Sequence, residues 1–166
     1  MKILLVIVAA VVVLVLLVVI VGALLPRHHT ASRVMTLSRP PQEVYATIRD
    51  FAASPSWRKD VQRVTLLEGT PLRFREESSH GTVTYEVVED VPAQRLVTRI
   101  VDEDLGYSGR WTYSLEPAPE GTRLRITEDG DVSNVVFRFM SRFVFGHTTT
   151  IERYLAALAT KFGPPT

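Results

Sequence analysis

Apolar and polar positions along this chain follow three different patterns. From Ile3 to Leu25 no charged residue occurs, and every position except Gly22 is Val, Leu, Ile or Ala. At 1.5 Å per residue such a run, taken as a helix, spans about 34 Å, enough to cross the roughly 30 Å of bilayer hydrocarbon. From Arg33 to Glu128 apolar and polar residues alternate in short runs, which predicts strands. From Asp131 to Phe162, Val136, Met140, Phe143, Val144, His147, Ile151, Tyr154, Leu155, Leu158 and Phe162 recur every three or four positions. That spacing predicts one long amphipathic helix that needs a surface to cover its stripe.

The middle of the chain supplies the surface. Strands are predicted over 33–38, 61–68, 72–78, 82–90, 95–101, 107–115 and 122–128, with turns at Gly69-Thr70-Pro71, Ser79-His80-Gly81, Val91-Pro92-Ala93 and Pro117 to Gly121. Between the first two strands, Pro41 and Glu43 mark a helix entry, and Val44, Ile48 and Phe51 form its apolar face. Ser54-Pro55-Ser56 restarts a helical turn carrying Trp57. The order is strand, two short helices, six strands, long helix. The fold class is α+β: a seven-stranded curved antiparallel sheet wrapped around a long C-terminal helix, plus one N-terminal transmembrane helix.

The apolar N-terminus is longer than the core of a cleaved signal, and no clean small-x-small site precedes Pro26, so an uncleaved anchor over 1–26 is expected. Residues 27–32 form a short polar linker and 33–163 the globular domain. Flanking charge (Lys2 and the α-amine against Arg27, Arg33 and Arg39) favours a cytoplasmic domain by a margin of one. The chain has no Cys, which removes disulfides and thiolate metal sites. It carries 19 Lys+Arg against 18 Asp+Glu, and this near-neutral balance is not that of a nucleic-acid binder.

The arrangement resembles the START/Bet v 1-like (SRPBCC) superfamily, the helix-grip fold, and is similar to its polyketide cyclase/dehydrase-type branch. The residues that carry the resemblance are Arg39-Pro40-Pro41-Gln42-Glu43-Val44-Tyr45, Phe51 to Trp57, Gly109-Arg110-Trp111-Thr112-Tyr113 and Thr150-Ile151-Glu152-Arg153-Tyr154-Leu155. The resemblance implies an apolar cavity between sheet and last helix that takes lipids, sterols, polyketides or other hydrophobic small molecules. It does not imply one activity. With the anchor, it points to a single-pass protein of a bacterial inner membrane.

Inward register places Trp57, Phe74, Tyr85, Trp111 and Tyr113 along such a cavity, with Phe137, Met140, Phe143 and Val144 on the helix above it. Chemistry has few candidates. Glu76, Glu86 and Glu128 fall in strands on, or one step from, the inward face, where burial would raise a carboxyl pKa. His147 lies on the helical stripe, His80 at a hairpin tip, and His28 and His29 beside the anchor. No metal site, cofactor motif, phosphate loop or nucleophile elbow is present. A binding module is therefore favoured over a cyclase/dehydrase-type enzyme using cavity acid/base residues, and over an interaction domain whose cavity is filled. The segment from Phe137 to Phe145 holds more apolar surface than one sheet can cover. Phe139 and Phe145 are expected to touch the bilayer, with Arg138 and Arg142 reaching phosphates. Gly146, a weak helix former, is the expected hinge of a gate made by that segment.

Overall fold

In the computed structural model, residues 1–79 and 81–163 are described. His80 and the C-terminal Pro164 to Thr166 lie outside the described residues, as does the side chain of Phe145. The N-terminal run forms α1 (Lys2–Leu24), long and apolar enough to cross a membrane, with Gly22 its one buried residue.

Seven strands form a single antiparallel sheet: β1 (His28–Leu37), β2 (Val61–Leu67), β3 (Arg73–Ser78), β4 (Gly81–Val91), β5 (Arg95–Ile100), β6 (Tyr107–Ala118) and β7 (Gly121–Val132). Their order is β1-β7-β6-β5-β4-β3-β2, so the last strand closes back against the first. β1 starts at His28, earlier than the alternation from Arg33 suggested. Pairing with β7 continues to His28↔Asp131, Thr30 Oγ1 donates to Asp129 at 2.8 Å, and the Val132 amide donates to the Arg27 carbonyl at 2.9 Å. Gly130 is required there, because a β-carbon would collide with the His29 ring.

α2 (Pro41–Arg49) buries Val44 and Ile48 and is followed by a 3₁₀ turn, Phe51–Ser56, which Asp50 caps by accepting from the Ala53 amide. Tyr45 and Arg49 both donate to Asp90 near the end of β4, which ties α2 to the sheet.

The predicted single helix from Asp131 is three pieces. β7 runs on to Val132, α3 spans Val135–Met140, a π-helical turn covers Ser141–Phe145, and α4 spans Thr149–Phe162. Asn134 caps α3 by accepting from the Val136 and Phe137 amides. Gly146 sits at φ +75, a left-handed conformation that breaks the helix and that a β-carbon would disfavour. α4 presents Ile151, Tyr154, Leu155, Leu158 and Phe162 to the sheet. They join Leu96, Leu124 and Ile126, all fully buried, and Val44 and Ile48 from α2 in one core. Truncating Leu158 to Ala would cost about 2–5 kcal/mol on the usual scale for such sites.

Candidate functional site

The concave interior is defined by alternation. On β3 Phe74 and Glu76 point inward, on β4 Tyr85, on β6 Trp111 and Tyr113, and on β7 Leu124, Ile126 and Glu128. The 3₁₀ turn delivers Trp57, and α4 contributes Tyr154. The rings pack in two groups, one around Phe74 and one around Tyr154. Phe74 stacks on Phe51 at 4.0 Å and on Tyr85 at 5.1 Å. Tyr154 meets Trp57, Trp111 and Tyr113 at 5.3, 5.8 and 5.6 Å.

A buried ion pair closes one side of this chamber. Arg58 donates to both oxygens of Glu76, at 2.7 and 3.0 Å, and to Asp60 at 3.0 Å. Its guanidinium lies 5.2 Å over the Tyr154 ring. Burial works against the charge on Arg58, but the Glu76 carboxylate outweighs it and holds the pKa above the ordinary value. Burial likewise pushes the phenols of Tyr85, Tyr113 and Tyr154 up, so all three stay protonated. Trp57 Nε1 is buried with no hydrogen-bond partner among the described residues. The interior is therefore apolar with neutral O–H and N–H tips, and the Arg58 charge is paired with Glu76 and Asp60 while its Nε is buried without a partner among the described residues.

A second polar group joins the start of β1, β7 and the turn that leads into α4. The His29 and His147 rings stack at 4.1 Å, and His29 Nε2 is 3.8 Å from Glu128 Oε1. Burial pushes the Glu128 carboxyl up to about 7, with Trp111 acting in the opposite sense, and Glu128 Oε2 is unpartnered. Burial, then the neighbouring His147 and His28, lowers His29; burial, then Arg142, lowers His147. All three groups are thus shifted toward their neutral forms, and the 3.8 Å approach of His29 to Glu128 is beyond hydrogen-bond distance.

Glu86 is not an inward candidate. It is one step out of register with Tyr85, on the outer face, where Arg73 and Arg99 flank it in the ladder and donate to it at 2.8 and 2.6 Å. The two guanidiniums, not the core, cover it, and their hydrogen bonds hold its carboxyl below the usual value.

The residues proposed above the cavity also divide. Phe137, Phe143 and Val144 are exposed and Met140 is half-buried, so they do not join the aromatic chamber. His147 sits in the turn before α4. Phe139 packs toward α1, near Gly22, and onto Phe143 at 4.9 Å. Arg138 is buried and donates from its two Nη atoms to the carbonyls of Leu25 and Ser133, at 3.0 and 2.9 Å, while its Nε has no partner among the described residues. Sequence reasoning overlooked Arg58 and His29 as parts of the interior, and read Tyr154 as part of the helix stripe packed on the sheet rather than as a wall of the site. An inward Glu76 was itself a signal, since a buried carboxylate calls for a cation nearby.

Two open grooves, of about 620 and 570 Å³, lie away from this interior. One runs between the start of α2 and the β4–β5 turn, the other past Arg27, Arg73 and Arg99. Among the described residues no three His, Cys, Asp or Glu side chains converge as metal ligands.

The sequence model of a family described as polyketide cyclase / dehydrase and lipid transport matches residues 28–163. Solved structures repeat the fold at low identity. The di-domain ARO/CYC StfQ from the steffimycin biosynthetic pathway is 14% identical, with a TM-score of 0.64 over 80% of this chain and 50% of that one, so the chain spans half of that relative. A START superfamily protein from Mycobacterium smegmatis is 18% identical, with a TM-score of 0.65 over 81% of this chain and 97% of that one. Ginseng major latex-like protein 151 from Panax ginseng is 12% identical, with a TM-score of 0.66 over 82% and 99%. A comparison with curated proteins finds no match.

Proposed function

The chain belongs to the polyketide cyclase / dehydrase and lipid transport family, and on that footing we propose that it is a membrane-anchored binder of a hydrophobic small molecule, lipid, sterol-like or polyketide-like. α1 holds the domain at the bilayer and the interior between sheet and α4 takes the ligand. The observation that carries this reading is the aromatic chamber itself. Its walls are rings, its polar tips are neutral donors, and Trp57 Nε1 is a buried donor without a partner. A carbonyl or hydroxyl on an apolar ligand would satisfy that donor, as polar groups in apolar pockets commonly do. The rings touch, so entry requires something to move. The candidate is the segment from α3 through the π-helical turn, which has much exposed apolar surface and little core of its own.

Extraction of the full chain from membranes into mild detergent, followed by mass spectrometry, tests the reading. A stoichiometric hydrophobe supports it. A ligand-free protein whose Trp57 and Trp111 fluorescence is unmoved by added lipid or polyketide overturns it and favours an interaction domain with a filled interior.

A second reading, cyclase or dehydrase chemistry, is favoured by Glu128. A carboxyl with a pKa near 7, beside an imidazole and facing the interior, is poised for proton transfer at neutral pH. Turnover of a polyketide-like substrate that vanishes in Glu128→Gln, with ligand occupancy retained, would establish it.

A further inference from the structure

α1 and α3 are joined at one place. Gly22 is buried against the backbone of Val135, 3.0 Å from its carbonyl carbon when a β-carbon is built, and Phe139 lies 3.6 Å from the same point. Arg138 crosses from α3 to the Leu25 carbonyl at the end of α1. This contact fixes the depth of α3. The 23 residues of α1 measure about 34 Å as a helix, against about 30 Å of bilayer hydrocarbon. When α1 fills that thickness its last turn lies at the boundary, and α3, packed on that turn, lies at the same level.

The outward face at this level is apolar. Val136, Phe137, Phe143 and Val144 are 44, 48, 59 and 58% exposed, with the exposed Arg142 among them. Among the described residues outside α1, the other exposed large apolar residues are single positions on strands, such as Val34 and Leu66. We propose that this face is a second membrane contact: the segment from Val136 to Val144 is immersed in the lipid interface, with Arg142 at the phosphate level. Lipid, not water, then covers the segment over the His29, His147 and Glu128 end of the interior, so exchange of a ligand takes place directly with the bilayer. The proposal rests on the reading of α1 as an anchor. Aromatic and aliphatic side chains on one face, with a basic residue able to reach phosphate, is the pattern of an interfacial helix.

The chain lacks cysteine, so a single introduced one can be labelled without interference. Full-length chains carrying Phe137→Cys, Phe143→Cys or Val144→Cys, each spin-labelled in phosphatidylcholine–phosphatidylglycerol vesicles, are compared with Val12→Cys in α1 and Arg63→Cys on β2. Collision with oxygen reports lipid, and collision with a soluble nickel chelate reports water. The expected result is that labels at 137, 143 and 144 favour oxygen several-fold over nickel, as the label at 12 does, while the label at 63 favours nickel. If they behave like 63 while 12 is in lipid, the surface contact is overturned and the anchor stands. If 12 also behaves like 63, the anchor reading is overturned and the proposal with it. The substituted side chains are exposed, so loss of fold is not the expected outcome of any of them, and three sites guard against one failing.

Discussion

Gly22 of α1 and Val135 of α3 meet backbone to backbone, at a distance that leaves no room for a β-carbon on residue 22. The contact lets Arg138 close over the Leu25 carbonyl, where a cation also favours the negative end of the α1 dipole. Gly22→Val is expected to push the two elements apart. Amide hydrogen exchange across Val135–Met140, measured on the full chain in nanodiscs, should accelerate tenfold or more, equivalent to about 1.4 kcal/mol. Unchanged protection would show that α3 is held by the sheet alone.

Arg58 and Glu76 are each nearly buried, and each is the other's main partner. Glu76→Gln leaves the guanidinium with Asp60 as its remaining carboxylate partner, and removal of one partner of a buried pair typically costs about 3–5 kcal/mol. Replacing both residues with Met should recover most of that loss. Urea unfolding of the full chain in detergent, followed by Trp57 and Trp111 fluorescence, measures both variants. A loss below about 1 kcal/mol in Glu76→Gln would mean that water reaches the pair, since exposed pairs are worth that little.

Glu128 makes stability depend on pH in a defined direction. Its folded pKa, about 7, is above the ordinary 4.5. Between those values the folded state holds a proton that the unfolded chain has lost, so this group's contribution to stability falls as pH rises from about 4.5 to 7. The span amounts to about 3 kcal/mol at most. His29 and His147 act in the opposite sense. Their folded pKa values are lowered, so their contribution falls as pH drops through 6.5 and below. Glu128→Gln separates the effects, because it should abolish the decline toward pH 7 and leave the acid-side loss. Thermal melts at pH 4.5 to 8 decide it. A wild type and Glu128→Gln with parallel profiles would refute the buried-acid assignment.

Position 86 is a control for the site. Glu86→Gln breaks contacts to Arg73 and Arg99 on the outer face and should leave ligand occupancy unchanged. Trp57→Ala, within the chamber, should reduce occupancy at least tenfold if the indole N–H meets the ligand. Mass spectrometry of the two purified variants makes the comparison, and equal occupancy would remove Trp57 from the site.

Strand alternation carried most of the architecture, because one face of an antiparallel sheet meets a core and the other meets water. It put Phe74 and Tyr85, and Trp111 and Tyr113, on the face that points inward, which is how the ladders pair and alternate. It failed where a residue's partner comes from a distant element. The apolar stripe from Val136 to Phe162 was read as one helix because periodicity records burial, not continuity. Its first part is served by α1 and its second by the sheet, and Gly146 changes the chain's direction between them. Phe139 was assigned to lipid alone, although it also packs beside Gly22 of a helix more than a hundred residues earlier. His29 looked like a flanking residue because nothing local shows that Gly130, across the sheet, leaves space for its ring.

β1 begins three residues after α1, with Leu25, Pro26 and Arg27 between them, a span of roughly 10 Å even when fully extended. The first strand is thus bonded to β7 almost from the point where α1 ends. With α1 in a bilayer, the domain can neither drift away nor turn over. On the proposed binding function, a tether this short removes the third dimension from the domain's search: whatever supplies or receives the ligand would meet it at the membrane surface, at a rate set by lateral diffusion and by density in the plane. Lengthening the tether would change that rate without altering a single side chain in the chamber.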